Sequence, residues 1–184
     1  MQTDRTPRAS FGAVSTQALI EYLRIDAADL AEAQDMASAA AAEIEAYTGL
    51  ALLTQEIVAT TDEPVCDRIL ALPVGPVLPG AVATLEVVEE DGTTTPVTSG
   101  FWLEAGRYPR LRFAAPPPAG RLRITYTAGY GDDHFAVPVD LAQAVLAQTA
   151  ALYDQRGSCG HGRMVNSLAP ATARIAARYR RVAL

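Results

Sequence analysis

Two clusters of side chains have types and spacing that chemistry could use. The first is Asp132-Asp133-His134, directly after Tyr130-Gly131. Paired carboxylates at a turn can hold Mg²⁺, and on paper Cys159 and His161 can be added to them as soft ligands. The spacing supports neither site. Metal-assisted transfer at such a pair needs a third carboxylate and a much longer chain. No pair among these five residues has structural-zinc separation. A solvated turn, with its aspartates just ahead of a helix N-terminus, accounts for the same residues. The sequence has no GxSxG, P-loop, GxGxxG or HExxH, and only two histidines. No catalytic group, metal or cofactor is therefore expected.

The second cluster is cationic. Arg174, Arg178 and Arg181 recur at i, i+4 and i+7, with Arg180 beside them and Ile175, Tyr179 and Val182 on another side. Read as a nucleic-acid contact, it offers only a modest electrostatic footprint. Read as a protein-docking peg, Arg with Tyr179 and Ile175 has the composition of interface anchors. Read as neither, it is a frayed and solvated tail.

Charge is divided unequally along the chain. Residues 1–154 hold nine arginines against all twenty-one carboxylates, a net of −12, whereas residues 155–184 hold six arginines and no carboxylate, a net of +6. Every basic residue is arginine. So acidic a body argues against a general DNA-binding surface, which needs clustered cations. It suits a soluble protein, or a surface that nucleic acid passes without sticking. Two cysteines far apart in the chain are too few for a disulfide framework, so synthesis in a reducing cytoplasm is expected. The first fourteen residues lack an apolar signal-peptide segment, and no run of apolar residues is long enough for a membrane span.

The elements that must position these clusters are a strand, a glycine turn and a helix over residues 124–156. Ile124, Tyr126 and Ala128 alternate with Thr125 and Thr127, the period of a half-buried strand. Gly129 and Gly131 flank Tyr130 at the reversal, and Pro138 opens a helix to about Arg156. Val139, Ala142, Val145, Leu146, Thr149, Leu152 and Tyr153 form its expected apolar face. Before it, residues 1–14 read as a flexible arm. Ser15 or Thr16 caps a short helix ending near Ile25, with Leu19, Ile20 and Leu23 inward. Asp26 caps a long one running to Thr48 and closed by Gly49. The long helix carries Leu30, Ala33, Ala37, Ala40, Ile44 and Tyr47 on one seam, a surface for another helix of this chain or of a neighbouring subunit. Between the helices, strands are predicted at 55–60, 68–72, 83–89, 94–98, 101–104, 110–113 and 121–128, with Asp91-Gly92 as a hairpin turn. The class is α+β: helices with a small, mostly antiparallel sheet inserted at about 54–128. Residues 157–167 read as a glycine-rich mobile loop, and Pro170 opens a last, basic helix.

Several of these stretches, in order, resemble one family: the head–tail connector, or adaptor, proteins of long-tailed bacteriophages and phage-like particles such as gene transfer agents. They are Leu23-Arg24-Ile25-Asp26, then Tyr47-Thr48-Gly49-Leu50-Ala51-Leu52, then Leu72-Pro73-Val74-Gly75-Pro76-Val77. Thr125 to Gly131, Val137-Pro138, and Tyr153 to Arg156 complete the set. The resemblance covers residues 16–184. It implies a connector domain over 15–156, flanked by the arm at 1–14 and by the loop and basic helix at 157–184. It further implies a ring of about a dozen copies beneath the portal. Such a ring extends the DNA channel and gives the stopper or tail a platform. The C-terminal segment would be the portal-binding peg, through Arg174, Ile175, Arg178, Tyr179, Arg180 and Arg181. Leu30, Ala33, Ala37, Ala40, Ile44 and Tyr47 would be candidates for the subunit interface. DNA would pass without sequence-specific binding, and no membrane is involved. A tail-completion or stopper protein is the nearest alternative, and a small DNA-binding packaging factor the alternative from another class.

Overall fold

The computed structural model describes residues 1–9, 12–62, 64–89, 91–156 and 168–180. The chain divides into two compact units, each built from two separate stretches. One comprises Met1–Arg8 and Thr54–Tyr130, the other Ala9–Leu53 and Gly131–Leu184. The class is mixed α+β, with four α-helices and two antiparallel sheets among the described residues. One inserted sheet was expected; there are two.

The first unit holds the strands. A five-stranded sheet runs in the order β1 (Gln2–Pro7), β2 (Gln55–Thr60), β8 (Arg121–Ala128), β4 (Thr84–Val88), β5 (Thr94–Val97). Alternation decides its faces. Ile57 and Ala59 of β2, Leu85 of β4, and Leu122, Ile124 and Tyr126 of β8 are buried, while their neighbours in sequence are partly exposed. The register sets Ile57 opposite Tyr126 and Leu85 opposite Ile124, so the apolar side chains meet across strands. A second sheet, β3 (Ile69–Ala71), β7 (Arg110–Phe113), β6 (Phe101–Glu104), buries Leu111 and Phe113 on its inner face.

Residues 2–7 correct the expected flexible arm. They pair antiparallel with β2, from Gln2 opposite Thr60 to Pro7 opposite Gln55. The strand lies at an edge and buries none of its side chains, so it carries no apolar alternation to read. Its Pro7, like Pro96 in the edge strand β5, falls where a missing N–H is tolerated.

The Leu72–Val77 stretch is tied to β8 through one phenol. Tyr126 donates its hydroxyl to the Val74 carbonyl at 3.0 Å and accepts the Val74 N–H at 3.1 Å. The Gly129 N–H reaches the Pro76 carbonyl at 2.8 Å. Gly75 is required by space: a Cβ there would lie 2.1 Å from the Arg107 carbonyl oxygen.

The second unit is helical: α1 (Thr16–Leu23), α2 (Leu30–Thr48), α3 (Val139–Gln155) and α4 (Pro170–Ala176). Ser15 Oγ accepts the Ala18 N–H at 3.1 Å and caps α1, and Arg24, at φ 54, closes it. Asp26 does not start the long helix. It precedes a single 3₁₀ turn, Ala27–Asp29, and α2 begins after that. At the other end Thr48 donates to the Ile44 carbonyl at 2.7 Å and accepts the Leu50 N–H at 3.3 Å, while Gly49 at φ 72 terminates the helix. Leu50, Ala51 and Leu52 then enter the core, which explains why a Tyr-Thr-Gly-Leu-Ala-Leu run stands there.

Candidate interaction surfaces

The α2 seam is occupied. Ala33, Ala37, Ala40 and Ile44 are buried within the chain, where α2 packs along α3. Alanine lets two helix axes approach closely, and here the approaching helix belongs to the same molecule. These four side chains are therefore core and cannot face a neighbouring subunit, which corrects the interface expectation for them. Leu30 is half-buried and Tyr47 exposed, so the two ends of the seam remain accessible.

On α3 the buried side chains are Leu141, Ala144, Val145, Leu146, Gln148 and Thr149. Val139, expected inward, is 85% exposed. The apolar stripe starts at Leu141, so Val139 falls outside its arc. The C-terminal end of α3 is anchored to the start of α2. Tyr153 donates its hydroxyl to Asp29 Oδ2 at 3.1 Å, and the Arg156 guanidinium lies 3.5 Å from the Tyr153 ring centroid while pairing with Glu32. Burial, then the Asp29 hydrogen bond, raises the Tyr153 phenol above its ordinary pKa. The Tyr-x-x-Arg spacing was visible in the sequence, but its partners, over a hundred residues earlier, were not.

The basic C-terminal segment lies against α3. Thr172 Oγ1 donates to the Ala144 carbonyl at 3.1 Å, and the Ala169 N–H donates to Gln148 Oε1 at 2.8 Å. Gln148 in turn donates to Glu43 Oε2 of α2 at 2.7 Å. Tyr179 is buried, its hydroxyl 2.7 and 2.8 Å from the two carboxylate oxygens of Asp140. Arg178 donates to the same carboxylate at 3.2 Å. Tyr179 is thus an internal anchor, which corrects its place among outward-facing contacts: a phenol beside a carboxylate on its own core gains both packing and a charge-assisted hydrogen bond. Arg174, Arg178 and Arg180 are exposed and Ile175 is half-buried, with the Arg180 guanidinium 5.4 Å from the Tyr47 ring centroid. Arg181 and Val182 lie outside the described residues.

The Asp132-Asp133-His134 cluster is a structured turn. Asp133 Oδ1 accepts the N–H groups of Phe135 at 2.9 Å and Ala136 at 3.3 Å. Cys159 and His161 lie outside the described residues. Among the described residues no three His, Cys, Asp or Glu side chains are grouped to hold a metal ion, and no helix is long and apolar enough to cross a membrane.

Sequence reasoning missed several exposed apolar side chains: Phe135 in the turn before α3 and Val139 at the start of α3, and Trp102 and Ile69 on the outer face of the three-stranded sheet. Glu104, on that same face, accepts from Arg112 at 2.6 Å, and this hydrogen bond holds its carboxyl below the usual range.

No protein-family model matches the sequence, and no curated protein does. Solved structures do. The whole chain superposes on 97% of a chain from the neck of an empty gene transfer agent particle computed with C6 symmetry, at 28% identity and a TM-score of 0.80. A chain from the virion of a native gene transfer agent particle gives the same coverage, identity and TM-score, 97%, 28% and 0.80. A chain from the neck of a native particle computed with C12 symmetry matches at 30% identity and a TM-score of 0.71, again over all of this chain and 97% of that one. With likeness of this extent to neck chains along its entire length, the protein belongs to the head–tail neck and connector family.

Proposed function

We propose that the chain is a structural, non-enzymatic adaptor in the neck of a phage or phage-like particle. It assembles as a ring under the portal, extends the DNA channel and provides the platform to which stopper or tail attaches. The observation that carries this reading is the end-to-end match to neck chains. The symmetries of those assemblies support the ring. The net negative charge supports a channel along which DNA slides without adhering.

The portal contact is assigned to the exposed side of the C-terminal segment: Arg174, Arg178 and Arg180, with Ile175 and, beyond the described residues, Arg181. The α3 helix supports this surface through Asp140, Ala144 and Gln148. Leu30 and Tyr47 are the accessible remainder of the proposed subunit seam. Deleting α4 would uncover α3, so point variants test the assignment better than truncation. Wild-type chain and an Arg174→Glu/Arg180→Glu variant are co-sedimented with purified portal rings in moderate salt. Binding by the wild type and loss in the variant is the expected result. Equal binding moves the portal contact elsewhere on the adaptor. If the wild type fails to bind portal, the adaptor reading is wrong, and a salt-dependent shift of DNA would point to a packaging factor instead.

A further inference from the structure

Phe135 and Val139 are each 85% exposed, the highest values among the large apolar side chains of the described residues. Single exposed apolar residues are common. This pair differs in being held by dedicated structure. Asp133 Oδ1 fixes the turn through the Phe135 and Ala136 N–H groups, at 2.9 and 3.3 Å. Gly131 lets that turn close, because a Cβ there would stand 2.5 Å from the Ala136 Cβ. The His134 ring lies against Phe135, with centroids 4.1 Å apart. Val137 is buried, and Pro138 sets the entry into α3. The result is a pre-formed apolar knob at the entrance to α3, flanked by Asp132 and Asp133, while Asp140 is already paired with Arg178 and Tyr179. Preorganised aromatic anchors of this kind lose little entropy on docking.

The outer face of the three-stranded sheet has the complementary character. Its register aligns Ile69, Arg112 and Trp102 in one row and Ala71, Arg110 and Glu104 in the next. Trp102 is 52% and Ile69 45% exposed. Arg110 and Arg112 share that face with them, against a Glu104 already engaged by Arg112. The face is apolar at its centre and basic at its margin, in a chain of net charge −6.

We infer that the acidic Phe135–Val139 knob of one copy docks on the Trp102–Ile69 sheet face of the next copy. The inference rests on the ring reading above. A cyclic ring of more than two copies needs two different patches on each subunit, one meeting the other head to tail. The relatives stand in assemblies of C6 and C12 symmetry. The knob and the sheet face form such a pair, matched in apolarity and opposed in charge.

The test uses full-length chains in sedimentation velocity over a concentration series. One variant lacks the knob (Phe135→Ser/Val139→Ser), and the other lacks the receiving face (Trp102→Ala/Arg110→Glu). Circular dichroism confirms that each keeps its fold, since all four side chains point largely to solvent. Wild type forms rings, and either variant alone associates roughly 10- to 100-fold more weakly per contact. An equimolar mixture of the two forms dimers and stops there, because one intact knob meets one intact face and both remaining patches are altered. Rings undiminished in both variants overturn this inference and leave the ring reading standing. Lost rings without dimers in the mixture show that these two patches are not partners. A knob variant that assembles normally but no longer binds portal reassigns the knob to the portal. A wild type that stays monomeric throughout overturns both readings.

Discussion

Replacing Tyr179 with phenylalanine removes one oxygen from the contact that holds the C-terminal segment on α3. The ring is buried and its packing survives the change. What is lost is a hydrogen bond of 2.7–2.8 Å to a carboxylate. A charge-assisted bond contributes about 1.5–3 kcal/mol in a closed setting. Asp140 is 35% exposed, however, so water can replace the phenol, and the expected cost falls to about 1 kcal/mol. Asp140→Ala loses the same bond together with a carboxylate in the first turn of α3, for a total of about 2 kcal/mol. Arg178→Ala, at the more exposed end of the ion pair, should cost less than about 0.5 kcal/mol. Native-state amide exchange reads this directly at the Ala173 and Ala177 N–H groups, which close the turns of α4. Local opening should quicken about fivefold in Tyr179→Phe and about thirtyfold in Asp140→Ala, with less than about twofold change in Arg178→Ala. Unchanged exchange in Tyr179→Phe, with clear acceleration in Arg178→Ala, would show that the ion pair holds the segment and the phenol does not.

Gly75→Ala should be among the most damaging single-methyl substitutions, because the new carbon has 2.1 Å to a backbone oxygen that cannot swing away. A loss of about 3 kcal/mol or more is expected, measured as a lower urea midpoint at constant slope. The Tyr153 phenol, raised mainly by burial and next by the Asp29 hydrogen bond, predicts a specific alkaline effect. Its contribution is fully present below the unfolded pKa of about 10 and is lost as pH rises through the higher folded value. Tyr153→Phe should therefore flatten the decline above pH 10, and loss of the Asp29 hydrogen bond should lower stability slightly at neutral pH, as followed by thermal melts across that range.

Much of the β unit was legible because burial imposes period two on a strand with one face inward. Ile124, Tyr126 and Ala128 declared β8 in this way, and Ile57 and Ala59 declared β2. The edge strand β1 was illegible for the same reason: it buries nothing, and its partner lies some fifty residues away. The α2 seam could be read as a packing surface but not assigned to a partner, since alanine spacing alone does not say whose helix approaches. Tyr179 looked like an outward anchor because an aromatic among arginines has that composition. Only the position of Asp140 on α3 turns it inward. Val139 failed the other way, a valine at a helix start being indistinguishable from core until the arc of the neighbouring turns is known.

The division into two interleaved units has a consequence for synthesis. Three chain crossings, after residues 8, 53 and 130, leave each unit unfinished until late in translation. When α2 leaves the ribosome its partner α3 lies about a hundred residues downstream, a delay of roughly 5–20 s at ordinary elongation rates. During that interval Ala33, Ala37, Ala40 and Ile44 lack α3, the helix that packs most extensively on α2. A seam made mostly of methyl groups offers stray nascent chains far less adhesive area than leucines would, so the residues that permit close helix packing also keep the waiting polypeptide from premature association. The helical unit is then completed only with residues 131–184.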